Sequence, residues 1–266
     1  MASPKPVIST VLLSWNRPHM LYRTLRSYRA CTRSAAELIV VDNGSGRETR
    51  TLIESAESAG LIDIAIFLPA NEGGGAFNHV TPVVRGDYVH YSENDIEYRP
   101  HWDTALLGKF EAFPVLGQLS PFAPKPEAEL GEVWVEHGGR PVSSAGQQVF
   151  VTSAGVGTTC LVRREVLDQG AQWANIESGE WRFPNDANFS AQVRGRGFAV
   201  AWNDVYVAAN LGHRVSEWER DLPYYVAGYA AKGWVGIGGL DRRLRAAGHA
   251  LVYAANGDVA GIRRLR

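Results

Sequence analysis

Three short polar clusters carry side chains whose types and spacing could do chemistry: Ser14-Trp15-Asn16-Arg17, Asp42-Asn43-Gly44-Ser45 and Glu93-Asn94-Asp95. A carboxylate such as Asp42 only accepts hydrogen bonds, which suits the N–H edge of a uracil- or guanine-type ring. The same residues also make an Asp-Asn-Gly turn that needs Gly44 for its backbone alone. Glu93 and Asp95 set two carboxylates two residues apart, hard oxygen ligands for a divalent cation that bridges a diphosphate, or an acidic cap on the next segment. Gly73-Gly74-Gly75 permits close backbone approach and offers N–H groups to a phosphate or sugar, though it is neither a P-loop nor a Gly-x-Gly-x-x-Gly fingerprint. A flexible loop is the other reading of that triplet.

The pattern around these clusters decides whether they meet. Val7 to Leu13 is a buried-strand run, and Pro18 opens a helix with Leu21, Leu25 and Tyr28 at helical spacing. Leu38 to Val41 is a second strand run, followed by a polar helical stretch to Ala59. Ile62 to Leu68 is a third, the glycine triplet leads into another helix, and Asp87 to Tyr91 is a further strand. Repeated strand–helix units imply parallel strands with right-handed crossovers. Ligands of such a sheet sit at the carboxyl ends of its strands, where all three clusters fall. Beyond Pro100 the signals become mixed α+β: a hairpin-like pattern over Glu132 to Val142, strands near Gln147 to Thr152 and Thr158 to Val162, and a helix from about Asn185 to Arg194. Strands near Phe198 to Trp202 and Val205 to Ala209 then precede basic helices.

Composition narrows the class. The 266 residues carry 27 Lys+Arg against 28 Asp+Glu and are 45% hydrophobic, an ordinary soluble globular balance. No run approaches the roughly 18 apolar residues that span a bilayer, so no integral membrane segment is expected, and the first apolar run lacks the cleavage site of a signal peptide. Cys31 and Cys160 allow one disulfide at most and read as buried thiols of a reducing, cytoplasmic setting. Residues 214–266 hold nine Arg/Lys against five acids, a bias that suits a solvated helical face or an anionic partner.

In this order the motifs resemble the inverting family 2 glycosyltransferases of the GT-A fold. The resembling residues are Ser14-Trp15-Asn16-Arg17, Val40-Val41-Asp42-Asn43-Gly44-Ser45, Asn71-Glu72-Gly73 with Asn78, and the acidic turn Glu93-Asn94-Asp95. The likeness continues through Gly155 to Arg164, Phe183-Pro184-Asn185-Asp186 with Arg194-Gly195-Arg196-Gly197-Phe198, and His213, covering about residues 7–213. Two positions depart from the family pattern: Glu93 stands where Asp is usual, and Asn185 replaces the acid of a Glu-Asp pair.

The resemblance implies a Rossmann-like, mostly parallel α/β sheet in a single GT-A domain. Its parts would be a nucleotide-sugar half to about residue 100, an acceptor half over about 101–213, and a basic helical extension over about 214–266. It further implies that Asp42 holds the nucleobase and that Ser14, Asn16, Arg17, Asn71, Gly73 and Asn78 line the nucleotide-sugar site with Glu93 and Asn94. Asp95 and His213 would handle a Mn or Mg ion on the diphosphate, and Asp186 would be the general base for transfer to an acceptor hydroxyl. Trp181 and Trp218, which flank Asp186 and His213, are the aromatics expected at an acceptor cleft. A retaining transferase on the same fold and a degenerate nucleotide- or carbohydrate-binding module are the competing readings. The acceptor stays open among a soluble glycan, a small molecule, a lipid-linked sugar and modified nucleic acid. Tyr224 to Ala231 is apolar enough to pack on the core, to form a homodimer face or to lie on a membrane surface.

Overall fold

A computed structural model of the chain describes residues 5–125, 137–179, 181–233 and 235–265. It divides into two compact units, one of Met1–Pro124, Gly138–Ile176 and Arg182–Ala209, the other of Lys125–His137, Glu177–Trp181 and Asn210–Arg266.

The first unit begins with β1 (Ile8–Ser14), α1 (Pro18–Cys31), β2 (Ala36–Asp42), α2 (Arg47–Ser58) and β3 (Ile64–Phe67). A 3-10 helix over Gly73–Val80 stands where a further helix is expected. There follow β4 (Tyr88–Glu93), β5 (Ile96–Tyr98), α3 (Trp102–Ala112), β6 (Leu116–Ser120), β7 (Arg140–Ser144), β8 (Gln147–Val151) and β9 (Cys160–Arg163). Then come α4 (Arg164–Asp168), β10 (Asn175–Ser178), β11 (Trp181–Pro184), α5 (Asp186–Gly195), β12 (Ala199–Asn203) and β13 (Ala208–Asn210). The expected hairpin at Glu132 to Val142 lies largely outside the described residues; its described end, Arg140–Ser144, is β7.

Nine strands form one sheet in the order β3-β2-β1-β4-β9-β6-β12-β8-β7. β3, β2, β1 and β4 are mutually parallel, while β9 runs antiparallel to both β4 and β6. β1 is buried along its whole length because helices cover both faces of a parallel sheet, and this is why it reads as a continuous apolar run rather than an alternating one. On the sheet, Trp173 stacks on Phe189 at 4.2 Å between centroids, Tyr91 packs edge-on against both, and Phe77 packs tilted against Trp173 and edge-on against Tyr91. Cys160 is buried as expected, whereas Cys31 is only half-buried, and both are free thiols.

The second unit holds α6 (Val215–Arg220), α7 (Leu222–Ala231), α8 (Gly236–Ala246), β14 (His249–Tyr253) and β15 (Val259–Arg264). Here the sequence expectation is corrected: the segment does not end in helix but in an antiparallel hairpin of β14 and β15. The sequence signal is Asn256-Gly257 between the short apolar stretches at residues 250–253 and 259–262, with Gly257 at φ 88°. Trp218 is also corrected, being fully buried in this unit's core with Tyr225, Tyr229, Leu240, Leu244 and Leu251 rather than lining a cleft. Its indole N–H donates to the Gly212 carbonyl at 2.7 Å. Tyr224 to Ala231 is helical and turns Tyr225 and Tyr229 into that core. Trp181 is half-buried beside Tyr224, 5.9 Å between centroids.

Candidate active site

Strand register brings the three polar clusters to one edge. Ser14 pairs with Asp42 across β1 and β2, and Leu13 pairs with Glu93 across β1 and β4. Parallel strands with this register end together, so the turns that follow them emerge side by side.

The turn after β1 is unusual. Asn16 and Arg17 both have φ 53°, the left-handed region that non-glycine residues seldom occupy. Pro18 at the first helical position disfavours the right-handed helical region for Arg17 and pushes it toward extended backbone, so the left-handed conformation Arg17 adopts has to be held by its surroundings. Local bonds hold the turn: the Asn16 N–H donates to Ser45 Oγ at 2.8 Å, and Asn16 Oδ1 accepts from the Gly46 N–H at 3.0 Å. Arg17 is thereby aimed at the acidic turn, where it donates to Asp95 Oδ2 at 3.2 Å and Asn94 Oδ1 at 2.8 Å. Asn94 returns a bond to the Asn16 carbonyl at 2.9 Å. Among the described residues, the other oxygen of Asp95, Oδ1, is buried without a hydrogen-bond partner, as is Ser14 Oγ.

Asp42 is fully buried. It accepts from Arg50 Nε at 3.0 Å and from the Ser45 N–H at 3.3 Å. Arg50 also donates to the Leu68 carbonyl at 2.6 Å. Sequence reasoning missed Arg50, although a cation in the first turn of a helix that follows a strand-end carboxylate was the available signal. Gly44 makes this turn possible: it sits at φ 73°, and a Cβ there would lie 2.6 Å from the Ala70 carbonyl carbon. Gly44→Ala therefore combines left-handed strain with a backbone clash, and we expect it to lower stability by about 2–4 kcal/mol, read as a fall in the urea midpoint at unchanged m-value.

The Asn71 loop is built into the same edge by side-chain bonds. Asn43 Nδ2 donates to Asn71 Oδ1 at 2.9 Å, and Asn43 Oδ1 accepts from the Glu72 N–H at 2.7 Å. The Gly73 N–H donates to Asn71 Oδ1 and the Gly75 N–H to Asn175 Oδ1, so these two donors are already engaged within the protein. Gly74 serves close packing, since a Cβ on it would come within 2.7 Å of Pro184 Cα. Asn78 clamps the backbone of Trp173, donating to its carbonyl at 2.9 Å and accepting from its N–H at 3.0 Å. The glycines and Asn78 thus join the edge to the β10–β11 region instead of presenting open donors.

Asp186 opens α5, with Asn185 as the cap that accepts from the Asn188 N–H. Its Oδ2 accepts from the Gly157 N–H at 3.1 Å. Because β9 runs antiparallel to β4, with Cys160 opposite Tyr91, the Gly155–Thr159 loop that enters β9 lies at the carboxyl end of β4. Asp186 therefore comes to the edge that carries Glu93. Burial pushes the Cys160 thiol up to about 12, and the charges of Asp186 and Glu93 both act on it in the same direction. Half-buried His213 belongs to the second unit.

Behind the acidic turn lies a buried polar chain. His90 Nδ1 donates to the Cys160 carbonyl at 3.1 Å, and Tyr98 Oη lies 2.9 Å from His90 Nε2 and 2.6 Å from Ser92 Oγ. Burial pulls His90 down to about 3, so its ring is neutral and the chain is a fixed support for the end of β4.

The edge can be tested for a divalent cation. Among the described residues no three His, Cys, Asp or Glu side chains gather into a protein-only cage. Asp95 Oδ1, buried and unpartnered two residues from Glu93, instead fits a hard cation that takes one or two carboxylates and completes its shell from phosphate and water. Among the described residues, no helix is long and apolar enough to cross a membrane.

Comparison with known proteins agrees with this architecture. A mannosyltransferase from Pyrobaculum calidifontis, solved with GDP-Man and Mn2+, superposes with a TM-score of 0.57 at 16% identity, over 86% of this chain and 64% of that one. GalNAc-T7, solved with UDP, GalNAc and Mn2+, gives 0.58 at 16% identity, over 80% and 45%. S. aureus TarS gives 0.55 at 13% identity, over 84% and 65%. At such identities the likeness is one of fold, and that fold is GT-A. An uncharacterized glycosyltransferase of Nostoc sp. is 30% identical over 113 residues, 42% of this chain and 35% of its own length. The chain thus matches about a third of that relative and less than two thirds of each of these solved chains. The profile of the family described as Glycosyl transferase family 2 matches residues 9–170, more than half of the sequence and every strand-end turn of the site, and the chain belongs to that family.

Proposed function

We propose that the chain is a metal-dependent glycosyltransferase that moves a sugar from a nucleoside-diphosphate sugar to an acceptor hydroxyl, with inversion and with Asp186 as general base. The observation that carries the reading is the shared edge. Asp95 holds a buried oxygen without a partner, and Asp186 approaches the same edge with one oxygen held by the Gly157 N–H. The nucleotide sugars and Mn2+ in the two solved relatives support it.

In this mechanism Asp95, with Glu93 beside it, would hold a divalent cation, and such a cation would supply Lewis-acid relief of negative charge on the departing diphosphate. The Gly157 N–H fixes Asp186 Oδ2 and leaves Oδ1 for the acceptor hydroxyl, whose proton it takes as the oxygen attacks the anomeric carbon. Ser14, Asn16, Asn71 and the Asp42 turn shape the nucleotide side of the cleft. Asp42, buried against Arg50, works there by holding Ser45 and through it Asn16. His213 is the further candidate for handling the metal–diphosphate complex in this reading. The acceptor is a glycan, a small molecule, a lipid-linked sugar or modified nucleic acid.

Calorimetric titration of UDP, GDP and TDP with and without Mn2+ tests the donor site. Binding of one nucleotide that depends on Mn2+ is the expected result. Absence of binding by all three in both conditions would sink the reading in favour of a degenerate module. The anomeric configuration of the product, read by NMR, separates inversion from retention.

A further inference from the structure

Resting on the donor-site reading above, we infer that Arg17 is a built-in counter-cation of the acidic turn, which makes cation binding at Asp95 conditional on the nucleotide. Arg17 and Asp95 are nearly buried, their side chains 13% and 11% exposed. The guanidinium takes Asp95 Oδ2 and Asn94 Oδ1 while Asp95 Oδ1 stays without a partner. The two-residue left-handed turn at Asn16-Arg17 is a strained way to leave a strand. Such strain persists only where the surroundings over-determine it. Here they do: Asn94 Nδ2 binds the Asn16 carbonyl, Gly46 binds Asn16 Oδ1, and Ser45 binds the Asn16 N–H.

The electrostatic consequence follows from distance. A divalent cation on Asp95 Oδ1 must sit within about 6 Å of the Arg17 charge, given the carboxylate's size and the pair's contact. Alone, it meets a carboxylate whose charge is already half-spent and a neighbouring positive charge, so it binds weakly. A diphosphate reverses the balance, because its charge faces both the cation and Arg17 and each then favours it. Arg17 thereby couples the two ligands, and the coupling is reciprocal: the nucleotide raises cation affinity by the factor by which the cation raises nucleotide affinity.

The test uses the full chain in wild-type, Arg17→Gln and Arg17→Lys forms. Free Mn2+ is followed by electron paramagnetic resonance without nucleotide, and nucleoside diphosphate binding in saturating Mn2+ by calorimetry. Removing the charge is expected to tighten Mn2+ alone by about tenfold, the size of a monovalent–divalent repulsion about 6 Å apart in a water-like medium. It is expected to weaken the diphosphate by about tenfold. Arg17→Lys, which keeps the charge, stays near wild type in both. A merely structural role for Arg17 weakens both ligands together, and that result overturns the proposal. So does an unchanged Mn2+ affinity, including no measurable Mn2+ binding by wild type and Arg17→Gln alike. If wild type binds Mn2+ but no diphosphate, the donor-site reading fails on its own, and the Mn2+ arm still reports whether Arg17 opposes the cation.

Discussion

With Asp186 as the proposed general base, Asp186→Asn is expected to slow sugar transfer by about 10³-fold while leaving the protein folded and its donor site intact. The amide oxygen of Asn can still accept from the Gly157 N–H, the one hydrogen bond that positions this side chain at 3.1 Å, so the loop entering β9 and the start of α5 keep their arrangement. What is lost, in the proposed mechanism, is the group that takes the acceptor's proton. General-base contributions run to about 10²–10⁴-fold in rate, so kcat falls by on the order of 10³ with the donor KM nearly unchanged. The thermal midpoint should move little, because the substitution is isosteric and the residue is only half-buried. An activity loss that is matched by weakened nucleotide binding would assign Asp186 to substrate positioning, as a retaining mechanism requires.

Asp95→Asn is the second large effect, and it acts on the other side of the reaction. It removes a carboxylate charge that meets Arg17 and whose Oδ1, among the described residues, is buried without a hydrogen-bond partner. Mn2+-dependent nucleotide binding should disappear in calorimetry, and turnover should fall by about 10²–10³, the usual loss when one preorganised group that stabilises developing charge is taken away. The amide still accepts from Arg17, which limits the stability cost that Asp95→Ala would incur by leaving a nearly buried guanidinium with one anchor fewer. Comparing the two variants separates chemistry from folding. Retained Mn2+-dependent nucleotide binding in Asp95→Asn would remove this residue from the cation site.

Much of this arrangement was legible before any coordinates. Pro18 marked the start of α1 to the residue, and the apolar runs at Val7, Leu38, Ile62 and Asp87 located β1 to β4 within two or three positions. These signals are local, carried by side-chain period and by a proline whose ring can open a helix but not continue it. The hairpin of β14 and β15 was missed for the opposite reason. A positive net charge over residues 214–266 suggests exposed helices, and it outweighs the weaker local signal of the Asn256-Gly257 turn between two short apolar stretches.

Which residues can do chemistry, and in what order along a parallel sheet, was determined by the sequence itself: Asp42, Glu93, Asp95 and Asp186 each stand at the end of a strand or the start of a helix. What each of them is free to do was decided by tertiary structure. Asp42 accepts from Arg50, the Gly73 and Gly75 N–H groups donate to Asn71 and Asn175, and Asn78 bonds the Trp173 backbone, whereas among the described residues Asp95 Oδ1 has no partner. The physical reason is that a hydrogen bond is settled by proximity after folding. Gly75 and Asn175 lie 100 positions apart in the chain. No spacing or period in one sequence records a partner that only the crossing of the sheet brings within 3 Å.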